Sequence, residues 1–382
     1  MNHRDRILTA LEHREPDKIP FDLGSTLVTG ITKNAYINLV KYMGKESKGI
    51  RLFDVIQQLV SIEENVLTKL EVDTRGLMPN IRRKNPYIKE DNDFWSFTDE
   101  WEIMWKMPKE KGFYFDITKS PLDGNITVED IDDFPWPDPA NSYLLQGLKE
   151  RAKKYYENGY AVILESFCSG IFEMSCRIRG YEQFYFDLAT NPKLACKLMD
   201  KILELKIQFY KMVSKEMGHY IQFIREGDDI AGQEALLISP QMYRKYIKPR
   251  HKELFKAQKE IFPPPFYCFF HSDGAIYDLI PDFIEIGVEI LNPIQASARG
   301  MNIAKLKKEF GKDISFWGGG IDTQKTLPKG TPEEVKEEVK KRIEVLAPGG
   351  GFIFGAVHNI QDDVPAENIM AMWEAFQKLR NY

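Results

Sequence analysis

Residues 266–274 read FYCFFHSDG. An apolar run rich in β-formers stops abruptly at His271-Ser272-Asp273-Gly274, and a helix-like pattern, AIYDLI, follows. A continuous apolar run of this length is the signature of a strand covered on both faces. Seven further runs have the same character: IPFDLGS (19–25), VDTRGL (72–77), YAVILES (160–166), YIQFIREGDD (220–229), VEILNPIQ (288–295), ISFWGGG (314–320) and GFIFGAVHN (351–359). Most are separated by amphipathic helical stretches. Residues 191–217 repeat apolar positions at helical spacing. In residues 331–351, Thr331 stands as an N-cap, Pro332 follows at the first helical position and glycines close the end.

Eight βα units predict a (β/α)8 TIM barrel, an α/β fold formed by residues 1–382 as a single domain. A doubly wound open sheet is the alternative, but no GxGxxG turn follows the first strand. Residues 1–18 read as an N-terminal helical extension ended by Pro16 and Pro20. The stretch near 80–145 is too long for one connection. Its aromatic, alternating segments predict a β-hairpin insertion, followed by the proline-rich FPWPDP (134–139).

Bulk properties exclude several classes. A formal net charge of −5 argues against a general nucleic-acid binder, which needs a basic face. No apolar run approaches the roughly 18 residues of a bilayer span, and the charged N-terminus has no signal-peptide core. A cytoplasmic protein is expected. The four cysteines, Cys168, Cys176, Cys196 and Cys268, form no CxxC pair and read as small hydrophobes.

Barrel chemistry sits at the C-terminal ends of the strands. Those ends hold Asp22, Arg75, Glu165, Glu226, Asp228 and Asp229. Further along they hold His271 with Asp273, Asn292 with Gln295, Asp322, and His358 with Asn359. Each alone has an ordinary structural role available, as a cap or an ion-pair member. Together they predict one polar mouth. Asp228 and Asp229 are adjacent on a strand, so they face opposite ways and do not share a role. His3 and His13 are expected on the surface, and His219 and His251 beside helices with no polar cluster. The aromatic residues Trp95, Trp101, Trp105 and Tyr114 read chiefly as packing, with a ring-binding wall as the alternative.

The opening RDRILTALEHREPDKIPFDLG, the HSDG turn, NPIQ, WGGGIDTQKTLPKGTPEEV and APGGGFIF with NIQDDVPAENI together resemble the uroporphyrinogen decarboxylase superfamily over nearly the whole chain. That superfamily holds porphyrinogen decarboxylases and methyltransferases that exchange methyl groups with corrinoid proteins or coenzyme thiols. The decarboxylases carry an arginine-rich segment after the first strand for substrate carboxylates. Here FDLGSTLVTGIT (21–32) has no arginine. The zinc methyltransferases use H-x-C and a later cysteine. Here the matching positions hold His271-Ser272-Asp273 and His358. The resemblance therefore implies a metal set of His271, Asp273 and His358, suited to zinc. Its nitrogen and oxygen donors neutralise an ion less than thiolates do, which suits an oxygen substrate.

The expected function is that of a cobalamin-dependent methyltransferase, an O-demethylase component. It would take the methyl group of a small methoxylated, aromatic substrate and pass it to cobalamin carried by a partner corrinoid protein. Asp228 and Asp229 join the metal set as expected catalytic groups. Asp22, Arg75, Glu165, Glu226, Asn292, Gln295, Asp322 and Asn359 are the expected substrate-binding groups. A homodimer is implied by the family. A decarboxylase of a smaller acid, or a non-catalytic barrel that binds a corrinoid protein, are the competing readings.

Overall fold

The computed structural model describes residues 1–46, 49–80, 88–110 and 112–382. An antiparallel pair, β1 (Leu52–Asp54) and β2 (Leu59–Val60), precedes β3 (Thr74–Leu77). Four antiparallel strands follow: β4 (Lys89–Glu90), β5 (Phe94–Thr98), β6 (Met104–Pro108) and β7 (Asp116–Lys119). Then come β8 (Ala161–Glu165), β9 (Phe223–Gly227), β10 (Tyr267–His271), β11 (Ile290–Asn292), β12 (Ser315–Trp317) and β13 (Phe352–Ile353).

Seven of these, β3 and β8 to β13, form one parallel sheet in sequence order. Helices such as Pro192–Met217, Lys248–Ile261 and Pro332–Leu346 run between the strands. This is the α/β barrel that the sequence predicts, with one difference. The eighth position, expected as a strand over 19–25, is held by a short bridge. Phe21 pairs in parallel with Phe354. Asp22 N donates to Phe354 O, Phe354 N to Pro20 O, and Asp73 N to Phe21 O. That single rung ties the first segment to β13 on one side and to the lead-in of β3 on the other. Pro20 has no N–H to extend the ladder, and Gly24, at φ +78°, turns the chain away.

The ring is closed tightly there. A Cβ on Gly76 in β3 would lie 2.1 Å from the Ser25 carbonyl oxygen. Backbone, not a movable side chain, occupies the space. Gly76→Ala is expected to cost about 2 kcal/mol or more of stability, read as a lowered denaturant midpoint. An unchanged midpoint would mean that the 22–30 loop does not pack against β3.

Inside the ring, Ile163, Phe223, Phe269, Ile290, Trp317 and Ile353 meet in a small cluster. The helix His3–Leu11 plugs its lower end with Ile7 and Leu11. This helix is shorter than the expected 1–18. Asn2 caps its start, and His13 takes a left-handed φ of 54° just past its end. Thr331 is the N-cap that the sequence predicts, and Glu334 completes it into a capping box: Thr331 Oγ accepts from Glu334 N, and Thr331 N donates to the Glu334 carboxylate.

The insertion is larger than a hairpin. It is a four-stranded antiparallel sheet with Phe97, Trp101 and Trp105 buried against the barrel. Part of the 80–145 stretch, residues 81–87 and 111, lies outside the described residues. Among the described residues no helix is long and apolar enough to cross a membrane.

Candidate active site

Side chains alternate along a strand, so one parity faces the barrel interior. Phe223 and Phe269 set that parity for β9 and β10. It carries Arg225 and His271 inward at the upper end, as it does Glu165 on β8 and Asn292 on β11. The opposite parity sends Glu226 outward, between sheet and helix. This one rule sorts most of the expected site residues.

His271, the last residue of β10, is 4% exposed. Its Nδ1 lies 2.6 Å from Asn292 Oδ1. The Asn292 amide is oriented by its own Nδ2, which donates to Trp317 O at 2.8 Å. Asn292 therefore presents an acceptor, His271 donates from Nδ1–H, and the Nε2 lone pair faces the cavity. Around it stand Asp229 Oδ1 at 3.7 Å and Asp273 Oδ2 at 3.8 Å, while His358 Nε2 lies 3.8 Å from the same Asp273 oxygen. One donor atom each from His271, Asp273 and His358 fall within 4.8 Å of one another.

The HSDG turn is built to hold this cluster. Ser272 N donates to Asn292 O, Asp273 N to Asp229 Oδ1 and Gly274 N to Gln295 Oε1. Gly274 sits at φ +92°, and a Cβ there would meet Gly232 O at 2.5 Å. Only glycine fits that position.

The cluster lines a cavity at the barrel mouth, with His271 nearly enclosed and Asp229, Asp273 and His358 partly exposed. Burial lowers His271 to about 4 and lowers His358. Burial, reinforced by Asp273, lifts Asp229 to about 6, and burial raises Asp273. Both imidazoles are thereby kept neutral, the form that can bind a metal. Asp273 Oδ1 is buried and, among the described residues, has no hydrogen-bond partner. An orphaned carboxylate oxygen beside two neutral imidazoles fits a divalent cation such as zinc, whose usual donors these are.

The cavity has a volume of about 900 Å³ and reaches from this cluster to the insertion. Glu165, Asp229, His271, Asp273 and His358 line it. Glu165 also pairs with Arg225 and accepts from Leu27 N at 2.9 Å. Asn359 lies just behind: its Oδ1 accepts from Gly30 N, and its Nδ2 donates to Leu27 O and Gln57 Oε1. Glu165 and Asn359 together pin the 22–30 loop, whose Leu27 and Val28 form one wall.

Eight expected site residues do not line the cavity: Asn292, Gln295 and Asn359, expected to bind substrate, instead hold His271, the HSDG turn and the 22–30 loop, and the other five lie elsewhere. Asp228 points away from the cavity, accepting from Phe172 N, Glu173 N and His251 Nε2. It caps the helix Ile171–Arg179, and His251, expected to lack polar company, is its buried partner. Glu226 is consumed by Lys206, Ser166 and Tyr210 behind the strand. Arg75 faces outward, bonded to Glu64 and stacked over Tyr160. Asp22 accepts from Thr74 Oγ1 and Trp317 Nε1 within the ring. Asp322 caps a turn by accepting from Gln324 N and Lys325 N. His3 is also engaged, through Nδ1 to Asp73 at 2.7 Å.

The sequence reading missed Arg225, Glu173 and Arg177, all of which line the cavity. Counting by twos selects Arg225 over Glu226 once the structure places Phe223 inside the ring. Glu173 and Arg177, an i,i+4 ion pair, sit on the helix that Asp228 caps, and only the fold brings them to the mouth. Trp101 and Phe167 meet edge to face, ring centres 5.4 Å apart, and both line the cavity. Packing and wall are thus one role for Trp101.

The family profile described as Uroporphyrinogen decarboxylase (URO-D) matches residues 116–379. Over 244 residues the chain is 23% identical to the methylated-thiol–coenzyme M methyltransferase of Methanosarcina mazei, a match covering 63% of this chain and 60% of that relative, less than two thirds of its length. It is 22% identical over 261 residues to a uroporphyrinogen decarboxylase of Geobacter sulfurreducens, covering 66% of this chain and 71% of the relative. A solved structure of a methyltransferase from Methanosarcina mazei superposes with a TM-score of 0.65 at 17% identity, covering 99% of both chains. That likeness shows a shared fold.

Proposed function

The chain belongs to the uroporphyrinogen decarboxylase family, and on that premise we propose that it is a methyltransferase of the family's corrinoid-dependent branch. Its donor is a methoxylated aromatic compound and its acceptor is the cobalt of a partner corrinoid protein. The observation that carries this reading is the convergence of His271, Asp273 and His358 on one cavity. The methylated-thiol–coenzyme M methyltransferase relative supports methyl transfer, and the donor set, which has no thiolate, supports an oxygen rather than a thiol donor.

The physical difficulty is the leaving group. An ether oxygen departs poorly, and its developing charge must be met. His271, Asp273 and His358 would hold a divalent ion such as zinc, which when bound supplies electrophilic stabilisation of that oxygen. Asn292 fixes the His271 tautomer, so that Nε2 is available without reorganisation. Asp229 braces the Asp273 backbone. Leu27 and Val28 of the loop pinned by Glu165 and Asn359, together with Trp101 and Phe167, line the space that would take a flat ring.

Decarboxylation of a polycarboxylate fits less well. Among the described lining residues Arg177 and Arg225 are the only arginines or lysines, and each is already matched by a carboxylate, Glu173 and Glu165.

The test is direct. Protein loaded with zinc, a reduced corrinoid protein and a methoxyphenol should yield cobalt methylation by absorbance, with one free phenol per methyl moved. Silence across methyl ethers, thioethers and amines would reject methyl transfer. Transfer from thioethers alone would reject the ether donor. Asn292→Ala is expected to weaken metal affinity roughly ten- to a hundredfold through loss of the tautomer lock, measured by competition with a chelating dye. Unaltered affinity would show that Nε2 is presented without Asn292.

A further inference from the structure

Arg225 stands on β9 at the inward parity and is 6% exposed. Its guanidinium meets Glu165 through two nitrogens, Nε and Nη2, and both point at the same carboxylate oxygen, Oε1. The other Glu165 oxygen accepts from Leu27 N at 2.9 Å. Arg225 is thus held along one edge. Its third nitrogen, Nη1, has no hydrogen bond among the described residues. Nor is Nη1 sealed inside the protein. Arg225 lines the cavity, so the unused donor opens onto it.

A glycine clears the way. Gly227 lies two residues further along β9, at the same parity, and is in register with His271 on β10. A Cβ on Gly227 would lie 2.9 Å from Arg225 Nη1 and 2.9 Å from His271 Cβ. Nη1 and the His271 side chain therefore border one gap, which any larger residue at 227 would fill. Their proximity also shows electrostatically. Burial lowers His271 and His358, and the Arg225 charge adds to the lowering in both.

A buried N–H group, fixed in place and left without an acceptor, suits charge that develops during a reaction. The pair with Glu165 orients Arg225 without using Nη1. In ether cleavage the methyl–oxygen bond breaks and both its electrons stay on oxygen. The pair that forms the new bond to methyl comes from the reduced cobalt of the partner. The oxygen leaves as an aryloxide and takes its proton from water afterwards.

We propose that Arg225 is a further catalytic residue: Nη1–H donates to the departing oxygen beside the cation site. The inference rests on the methyl-ether reading for the step, whereas the contact itself is measured by binding, without turnover.

4-Nitrophenolate and its methyl ether, 4-nitroanisole, serve as product-like and substrate-like probes. Calorimetry on the zinc-loaded full chain measures both, with zinc content matched between proteins. Arg225→Lys keeps an ion pair to Glu165, and so the 22–30 loop, but its single nitrogen is already engaged there. It is expected to bind nitrophenolate at least about tenfold more weakly than wild type, with nitroanisole affinity unchanged. The double variant Arg225→Met, Glu165→Gln removes both charges without stranding a carboxylate and should show the same selective loss. Methyl transfer from a methoxyphenol should slow by about a hundredfold in either. Equal losses for both probes, as a purely structural role would give, would overturn the proposal. So would unchanged nitrophenolate affinity in Arg225→Lys, or failure of nitrophenolate to bind wild type at millimolar concentration. Selective loss of nitrophenolate without methyl transfer from any ether would keep the Nη1 donor and remove the ether reading. Ether cleavage at the wild-type rate in Arg225→Lys would do the reverse.

Discussion

His271→Ala is expected to abolish stoichiometric metal binding and to slow methyl transfer by at least about a hundredfold, close to 3 kcal/mol of transition-state stabilisation. The substitution removes a lone pair held in place by Asn292 and leaves Asn292 Oδ1 buried without its donor. Some loss of stability is therefore expected as well. His358→Ala separates the two effects. His358 is more exposed, with 25% of its side chain accessible against 6% for His271. Its loss should reproduce the metal and rate defects with the thermal midpoint nearly unchanged. Elemental analysis, initial rates and a melting curve on the same preparations decide it. Full metal content in either variant would remove that residue from the ligand set.

The largest stability effect is expected away from the chemistry, at Lys206. Its side chain is fully buried against Glu226, itself 1% exposed. Nζ donates to Glu226 Oε2 at 2.8 Å, Ser166 Oγ at 2.8 Å and Cys168 O at 3.1 Å. Ser166 and Tyr210 donate to the other Glu226 oxygen. Lys206→Met would strand a buried carboxylate, at a cost of about 3–5 kcal/mol. The sign of its pH dependence follows. Burial already raises Glu226, and loss of the lysine raises it further. The folded variant then binds a proton that the unfolded chain releases, so its deficit should shrink as pH falls towards the unfolded carboxyl range. The double variant Lys206→Met, Glu226→Gln should recover much of the loss. Denaturant titrations over a pH series read all three. A single variant as stable as wild type would show that water reaches Glu226. Ser166 and Cys168 line the cavity, so this network also fixes the cavity wall from behind.

The barrel was legible because its strands are buried on both faces and end in polar residues. Length and punctuation were enough to count them. The same burial hid their orientation. A run such as FIREG shows no alternation of apolar and polar residues, so sequence alone did not say whether Arg225 or Glu226 faces inward. Once Phe223 is placed in the inner cluster, the answer follows by parity. The opposition of Asp228 and Asp229 needed no such anchor, since neighbours on an extended chain always diverge. Which of the two faces the cavity did need it. Arg75 and Asp322 failed differently. Each lies near a strand end, but one faces a helix and the other caps a turn, roles open to any strand-end charge. The insertion resisted reading because its sheet packs on the barrel with aromatic residues that are at once core and cavity wall.

The central claim is that His271, Asp273 and His358, distant in sequence, form one cation site at the barrel mouth. Titration of the metal-free protein with cobalt(II), followed by d–d absorption, tests it without any turnover. One equivalent bound, with the intense band of a low-coordinate nitrogen and oxygen site that disappears in His271→Ala and His358→Ala alike, is the predicted result. No saturable band, or a band that persists in both variants, would contradict it.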